Sequence, residues 1–369
     1  MVLMAGFRTA FRNMASNHGC PRVAIILLNW NSRMDTLECL ESVFRLNYPD
    51  YCVVLCDNDS SDGSLASFQE WAEGRVAVTP ASDVFTHAFA QPRPRTALHW
   101  NRLSRKQAEG TGELWKAPEL VLIETGANLG FAGGNNVGIR FALKHLQPDY
   151  FWLLNTDTLV DPESLAALVA RARRDQRVGM VGSSLIYYWK PDEVQAMGGA
   201  SLDPRTTLMR SIGDGSSVDS IPQDSSEIES KMAYAIGASM LISRQFVERI
   251  GLMCEDYFLY YEEIDWALRA KGRFSIAYAP ASKVFHKVGG ASRRVASTAS
   301  MRYMWRNRLR FVGRFMPGCL IGTLASMAMA MLRAALKGQF RLARVIAGAL
   351  LDSRRLLAEG KGKKACVQP

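Results

Sequence analysis

Four short apolar runs set the limits on what this chain can become. Residues 23–28 (VAIILL), 52–56 (CVVLC), 120–123 (LVLI) and 150–154 (YFWLL) lack any charged or amide residue. Runs of this length read as strands buried on both faces, which is the signature of a sheet covered by helices on either side. Stretches with helical spacing lie between and after them, at residues 35–46, 64–71, 133–145 and 162–174. Strands that alternate with helices imply an α/β fold with a mostly parallel sheet. Further strands are expected near 180–186, 234–242 and 275–279, with a helix at 262–271. The Gly/Ser/Asp-rich stretch 198–227 reads as loop.

Charge narrows the functional classes. The formal net charge is +10, yet residues 293–369 hold 16 Lys/Arg against 2 Asp/Glu. The preceding part is mildly acidic, so a nucleic-acid partner for the main domain loses support. A mean hydropathy of −0.05 argues against a polytopic membrane protein and against a disordered chain. Seven cysteines without a Cys-x-x-Cys spacing indicate neither a zinc ribbon nor a disulfide framework, and are expected to be buried free thiols in a reducing compartment.

Residues 1–20 read as a flexible basic leader without the apolar core of a signal peptide. Residues 79–118 carry four prolines and no clear period, and read as an insertion or lid. From about residue 299 the pattern changes. Arg302, Arg306, Arg310 and Arg314 step by four along one helical face, opposite Trp305, Phe311 and Phe315. Residues 315–332 then run 18 positions without a charge. This suits basic amphipathic helices lying on an anionic membrane surface. A helical pair packed on the main domain and a true span are the alternatives.

Polar blocks follow the strands, where open α/β sheets bind ligands. The first strand ends in Asn29-Trp30-Asn31, and the second in Asp57-Asn58-Asp59-Ser60-Ser61-Asp62-Gly63-Ser64. The third is followed by Asn128-Leu129-Gly130-Phe131-Ala132-Gly133-Gly134-Asn135-Asn136, whose glycines permit close backbone approach at a helix start. It is not a dinucleotide G-x-G-x-x-G fingerprint. The fourth strand ends in Asn155-Thr156-Asp157, where a carboxylate can bridge a hard cation to a diphosphate. Glu262-Glu263-Ile264-Asp265 opens a helix beside an aromatic run; the acids suit either the helix dipole or a general base. His286 follows a late strand.

Taken in order, these blocks resemble the inverting family 2 glycosyltransferases with the GT-A fold, most nearly the rhamnosyltransferase-like bacterial branch, over about residues 22–315. The resemblance implies a GT-A catalytic domain over 21–298 and a basic helical membrane-associating tail over 299–369. It implies that Leu28, Asn29, Asn31, Asp57 and Asn58 hold the nucleotide. Asn128, Gly130, Gly134 and Asn135 would line the donor cleft with Asn155 and Thr156. The family's D-x-D motif reads Asn155-Thr156-Asp157, so Asp157 is the expected ligand of Mg2+ or Mn2+, joined by His286. Glu263 is the implied base, with Glu262 the alternate, and Gly237, Ala238 and Ser239 shape the acceptor side.

The expected activity is transfer from a nucleotide-diphospho-sugar, with dTDP-rhamnose favoured, to a hydroxyl of a glycan or lipid-linked acceptor in cell-surface polysaccharide synthesis. The expected location is cytoplasmic, at the inner face of the plasma membrane. Oligomeric state is not legible. A pyrophosphorylase would need a Gly-rich, Arg-containing loop where Asn29-Trp30-Asn31-Ser32 stands. A catalytically silent membrane-associated GT-A-like binding protein is the alternative, disfavoured by the joint presence of Asp57, Asp157, Glu263 and His286.

Overall fold

The computed structural model describes residues 20–85, 97–110, 118–288 and 298–362. Strand β1 (Val23–Asn29) leads to α1 (Arg33–Val43), β2 (Tyr51–Asp57), α2 (Ser64–Ala72), β3 (Trp100–Ser104), α3 (Arg105–Glu109), β4 (Leu120–Glu124), α4 (Gly130–Phe141) and β5 (Tyr150–Asn155). Then follow β6 (Thr158–Val160), α5 (Ser164–Arg173), β7 (Val178–Tyr187), β8 (Lys190–Met197), β9 (Gly199–Leu202), β10 (Met209–Ser211), α6 (Ser226–Lys231), β11 (Tyr234–Ala235), β12 (Ser239–Ser243) and α7 (Arg244–Ile250). The last elements are α8 (Glu262–Ala270), β13 (Ser275–His286), α9 (Thr298–Phe315), α10 (Leu320–Leu336), α11 (Phe340–Leu351) and α12 (Ser353–Gly362).

The main sheet runs β3-β4-β2-β1-β5-β12-β7-β13-β6, with β8 alongside β7. Strands β3, β4, β2, β1 and β5 are mutually parallel. Strand β12 is antiparallel to β5 and β7, and β13 runs parallel to β7. The apolar runs are explained by two covering layers. Ile25, Leu27 and Leu55 meet Leu40, Phe68, Trp71 and Leu165 on one face. Ile26, Val54 and Leu153 meet Val137, Phe141, Phe246 and Trp266 on the other. Each fully buried side chain of this kind contributes about 1.5–3 kcal/mol. The result is the expected α/β arrangement, a mostly parallel mixed sheet flanked by helices with a helical C-terminal extension.

From β1 the chain steps outward to β2 and beyond, then returns to β5 on the opposite side of β1. This reversal opens a crevice at the carboxyl ends of β1 and β5, where such sheets bind ligands. A small antiparallel sheet, β10-β9-β11, stands beside it.

Several expectations are corrected. Within 79–118, β3 forms the edge of the main sheet by pairing with β4, and α3 follows it, so residues 100–109 are neither loop nor lid. The rest of that stretch at 86–96 and 111–117, and the leader at 1–19, lie outside the described residues. The stretch 198–227 contains β9 and β10 rather than loop alone. The single strand expected over 234–242 is two strands in different sheets, broken at 236–238. Cys39, Cys52 and Cys56 are buried free thiols, pushed up to about 12 by burial, but Cys254 is disulfide-bonded.

Two of the four ladder arginines are tied into the protein body, while Arg302 is exposed. Arg314 pairs with Asp265 at 2.9 Å and Arg310 with Glu359 at 2.6 Å. Phe311 and Val312 are fully buried, so α9 is built into the main body. Helix α10, by contrast, exposes Ile321, Met329, Leu332 and Leu336. Residues 317–336 are long and apolar enough to cross a membrane by length and composition, with a mean hydropathy of 1.7.

Candidate active site

A cavity of about 710 Å³ opens at the crevice. Of the residues singled out from sequence, Leu28, Asn58, Asn128, Gly130, Asn155, Thr156, Asp157, Gly237, Ala238, Glu262, Glu263 and His286 line it. Their convergence follows from topology, because the strand ends that carry most of them point the same way.

Asn29, Asn31, Asp57, Gly134, Asn135 and Ser239 do not line it. Asn29 donates to Asp57 Oδ1 at 2.7 Å and accepts from Thr36 at 2.8 Å. Asp57 also takes the Ser60 backbone N–H at 3.0 Å. This buried pair ties the β1 and β2 loops together. Asn31 receives the Ser61 N–H at 2.7 Å. Asn135 donates to Phe131 O at 2.9 Å, and Gly134 lets α4 close on Leu28, where a Cβ would lie 2.3 Å from Cδ1. Ser239 accepts from Trp152 Nε1 at 2.9 Å within the core.

Asp157 and His286 meet at one end. His286 Nε2 lies 3.2 Å from Asp157 Oδ1, and both residues are buried. The other ring nitrogen, Nδ1, sits 2.9 Å from Gln195 Oε1. With its proton on Nδ1, His286 would turn the Nε2 lone pair toward Asp157 Oδ1, and the two atoms could share a divalent ion; a proton on Nε2 would instead join them directly. Among the described residues no group of three or more His, Cys, Asp or Glu side chains gathers to hold a metal. A cation held by Asp157 and His286 keeps positions open for other oxygens.

The acidic pair lies against the same cavity. Residues 258–261 enter α8 with positive φ at Phe258 (65°), Tyr260 (69°) and Tyr261 (80°), a costly conformation for aromatic side chains. Three contacts hold it. Gly130, at φ +72°, sits so close that a Cβ would lie 2.2 Å from Phe258 O, and the Phe131 N–H donates to that oxygen at 2.7 Å. Tyr303 of α9 stacks on Phe258 at 4.8 Å. Asn307 of α9 donates to the carbonyls of Tyr257, Leu259 and Tyr260 at 2.8, 2.9 and 3.1 Å. Asp265, one turn on, accepts from Arg269, Arg314 and the Tyr257 hydroxyl at 2.7, 2.9 and 3.1 Å.

Burial raises Glu262 well above the usual carboxylate range, helped by the adjacent Glu263, and its Oε2 is buried without a partner. Burial also raises Glu263, but its own backbone N–H and that of Gly237 draw it back down. Backbone N–H groups oppose the rise at Glu262 too, so both neighbouring carboxyls hold their protons more tightly than an exposed one. Gly237 is required here, since a Cβ would lie 2.4 Å from Glu263 Oε1.

Sequence reasoning did not single out Gln195, Lys287, Asn307 or Arg308. Lys287 is buried and donates to Asp35 at 2.8 Å and Glu38 at 2.5 Å, tying the end of β13 to α1. Its place beside His286 was the only signal for it. Asn307 and Arg308 sit inside the arginine-rich pattern, which hid them.

Residues 105–251 match the family model described as "Glycosyl transferase family 2". A stretch of 149 residues is 30% identical to the low-salt glycan biosynthesis hexosyltransferase Agl10 of Haloferax volcanii. That stretch is 40% of this chain and spans less than half, 45%, of the curated relative. Among solved structures, a mannosyltransferase from Pyrobaculum calidifontis in complex with GDP-Man and Mn2+ is similar at a TM-score of 0.47 and 17% identity, covering 93% of this chain and 86% of that one. S. aureus TarS 1–349 is similar at 0.48 and 12% identity, covering 92% and 83%. The family match supports a family 2 glycosyltransferase; none of these likenesses singles out the rhamnosyltransferase-like branch.

Proposed function

We propose that this protein is an inverting, metal-assisted glycosyltransferase acting on a nucleotide-diphospho-sugar. One observation carries the reading beyond the family match. A single cavity brings Asp157 and His286, whose oxygen and nitrogen donors suit a divalent ion, together with the adjacent carboxyls Glu262 and Glu263.

Asp157 and His286 would hold Mg2+ or Mn2+, which supplies positive charge beside a departing diphosphate. Asn128 and Asn155 offer amide groups to the nucleotide end of the donor, while Asn58 spends its amide on Asn128, Gly130, Thr125 and Leu129 and shapes that wall. Glu263 takes the proton from the acceptor hydroxyl as that hydroxyl attacks the anomeric carbon from the face opposite the leaving group. Glu262 lies beside that base, and burial there disfavours a second negative charge. One displacement on a carbon of oxocarbenium character inverts its configuration, an extension to transfer of what holds for hydrolysis.

The proposed donor is dTDP-rhamnose, on the strength of the motif resemblance, and the proposed acceptor is a lipid-linked glycan. Peripheral binding to the inner face of the plasma membrane rests on the apolar face of α10 and the basic residues Arg333, Lys337, Arg341 and Arg344 beside and beyond it.

The test is release of nucleoside diphosphate from a panel of dTDP-, UDP- and GDP-sugars with Mn2+ and lipid extract. Turnover with one donor is expected. In Glu263→Gln, turnover should fall about 100- to 10,000-fold with donor binding retained. No release from any donor would favour the silent binding reading.

A further inference from the structure

Among the described residues, Arg308 is a buried charge with no counter-ion. Its side chain is 3% exposed, yet it forms no salt bridge among the described residues. Its Nε donates to Thr207 Oγ1 at 3.3 Å, and Nη2 donates to Thr206 O and to Ser326 Oγ. All three acceptors are neutral. No hydrogen bond from Nη1 is found among the described residues, and Nη1 is not among the buried atoms left unsatisfied; the residue lines the cavity. A buried guanidinium without a counter-charge is costly, and a planar fork with free N–H groups suits a phosphate or carboxylate.

Its surroundings indicate which ligand meets it. Asp157 and His286 sit at the ends of β5 and β13, on the sheet side. Arg308 sits on another element of the lining, α9, beside Trp305, whose ring centroid is 5.7 Å from Cζ. Leu208, Met209 and Met304 make this wall apolar, and Tyr303 stacks on the loop that carries the acids. The donor diphosphate belongs with the cation at the sheet end. The anion that fits Arg308 therefore arrives on the second substrate.

We propose that Arg308 and Trp305 form an acceptor subsite for a phosphate ester, placing a phosphate-bearing acceptor against the α9 wall with its hydroxyl toward Glu263. This deepens the glycosyltransferase reading and rests on it. A glycosyl phosphate and an isoprenoid-linked phosphate share the chemistry.

The experiment is calorimetric titration of the full chain with Mg2+ and excess dTDP, UDP and GDP present to fill the donor end. The probes are glucose 1-phosphate against glucose, and farnesyl phosphate against farnesol. At least one phosphate should bind tenfold or more tightly than its neutral counterpart. Preference in the first pair points to a soluble source, and in the second to a lipid. In Arg308→Gln, which can still donate to Thr206 O, the preference should fall to near one with nucleotide affinity and thermal midpoint unchanged; Arg308→Lys should keep part of it. Equal binding of phosphate and neutral probes by the wild type overturns the proposal, as does a preference that survives in Arg308→Gln. Should the Gln variant fail to fold, the wild-type and Lys ratios still decide. Absence of nucleotide binding counts against the glycosyltransferase reading instead, which the phosphate ratio reads independently.

Discussion

Asn307 is a positioning residue, and replacing it with leucine tests whether α9 belongs to the catalytic machinery. Its amide is fully buried, and its two N–H groups serve the carbonyls of Tyr257, Leu259 and Tyr260. Leucine fills similar space and donates nothing. Leaving these buried acceptors short of donors should cost roughly 2–4 kcal/mol. The affected loop has three aromatic residues at positive φ, each of which costs on the order of 1–3 kcal/mol and persists only while its surroundings enforce it. Without the clamp the backbone relaxes, and the start of α8 moves with it. A displacement of about 1 Å at the acids costs on the order of 100-fold in rate. Urea unfolding should report the stability loss. Steady-state donor turnover should show kcat reduced about 10- to 100-fold, with KM for the donor little changed because Asp157 and His286 lie on other elements. A full loss of stability with kcat intact would refute the reasoning, because the loop would then be fixed without Asn307.

Three further outcomes are expected. Burial raises Glu262, so the folded state keeps its proton where the unfolded state has lost it; stability should fall as pH rises above the ordinary carboxylate value of 4.5. Glu262→Gln should flatten that fall in pH-dependent melting, leaving the part due to Glu263, and a difference between variant and wild type that is constant with pH would exclude the mechanism. Gln195→Leu frees Nδ1 of His286 and should weaken Mn2+-dependent nucleotide binding about 10- to 100-fold, with binding in EDTA unchanged; equal loss in both conditions would remove the ion from the explanation. Wild-type protein should sediment with anionic vesicles at low salt and be partly released at high salt, and Leu332→Glu with Leu336→Glu should weaken this binding. Wild-type protein that stays in solution with such vesicles would end the membrane reading.

The parts of the fold legible in the sequence are those whose burial is two-sided. β1, β2, β4 and β5 are covered by helices on both faces, so they appear as unbroken apolar runs, and their carboxyl ends locate much of the crevice. The edge strand β3 has one neighbour and half-buried, polar side chains (WNRLS), so no apolar run marks it. β9 and β10 are short strands in a small sheet and left equally little trace. The wall formed by α9 was hidden for another reason. Its arginine period reads as a solvated or membrane-facing surface, yet Arg310 and Arg314 turn toward Glu359 and Asp265. Asn307 and Arg308, which precede them, turn inward to groups that hydropathy cannot register, namely backbone carbonyls and hydroxyls.

Residue type alone also failed to sort the polar blocks, and completeness of bonding sorts them better. Asn29 and Asp57 share one buried hydrogen bond and spend their remaining capacity on Thr36 and Ser60, while Ser239 is committed to Trp152 and Ser183. Such residues shape the loops around the crevice. Among the described residues, the buried carboxyl and imidazole atoms with no hydrogen-bond partner are Glu262 Oε2 and His286 Nε2. Both residues line the cavity, one beside the proposed base and one at the proposed cation site. Leaving such atoms unpaired costs a folded protein about 1–3 kcal/mol each, and a site that must meet charge during a reaction is where that cost has a use. Arg308 extends the same logic to the α9 wall, where the unmatched group is a cation.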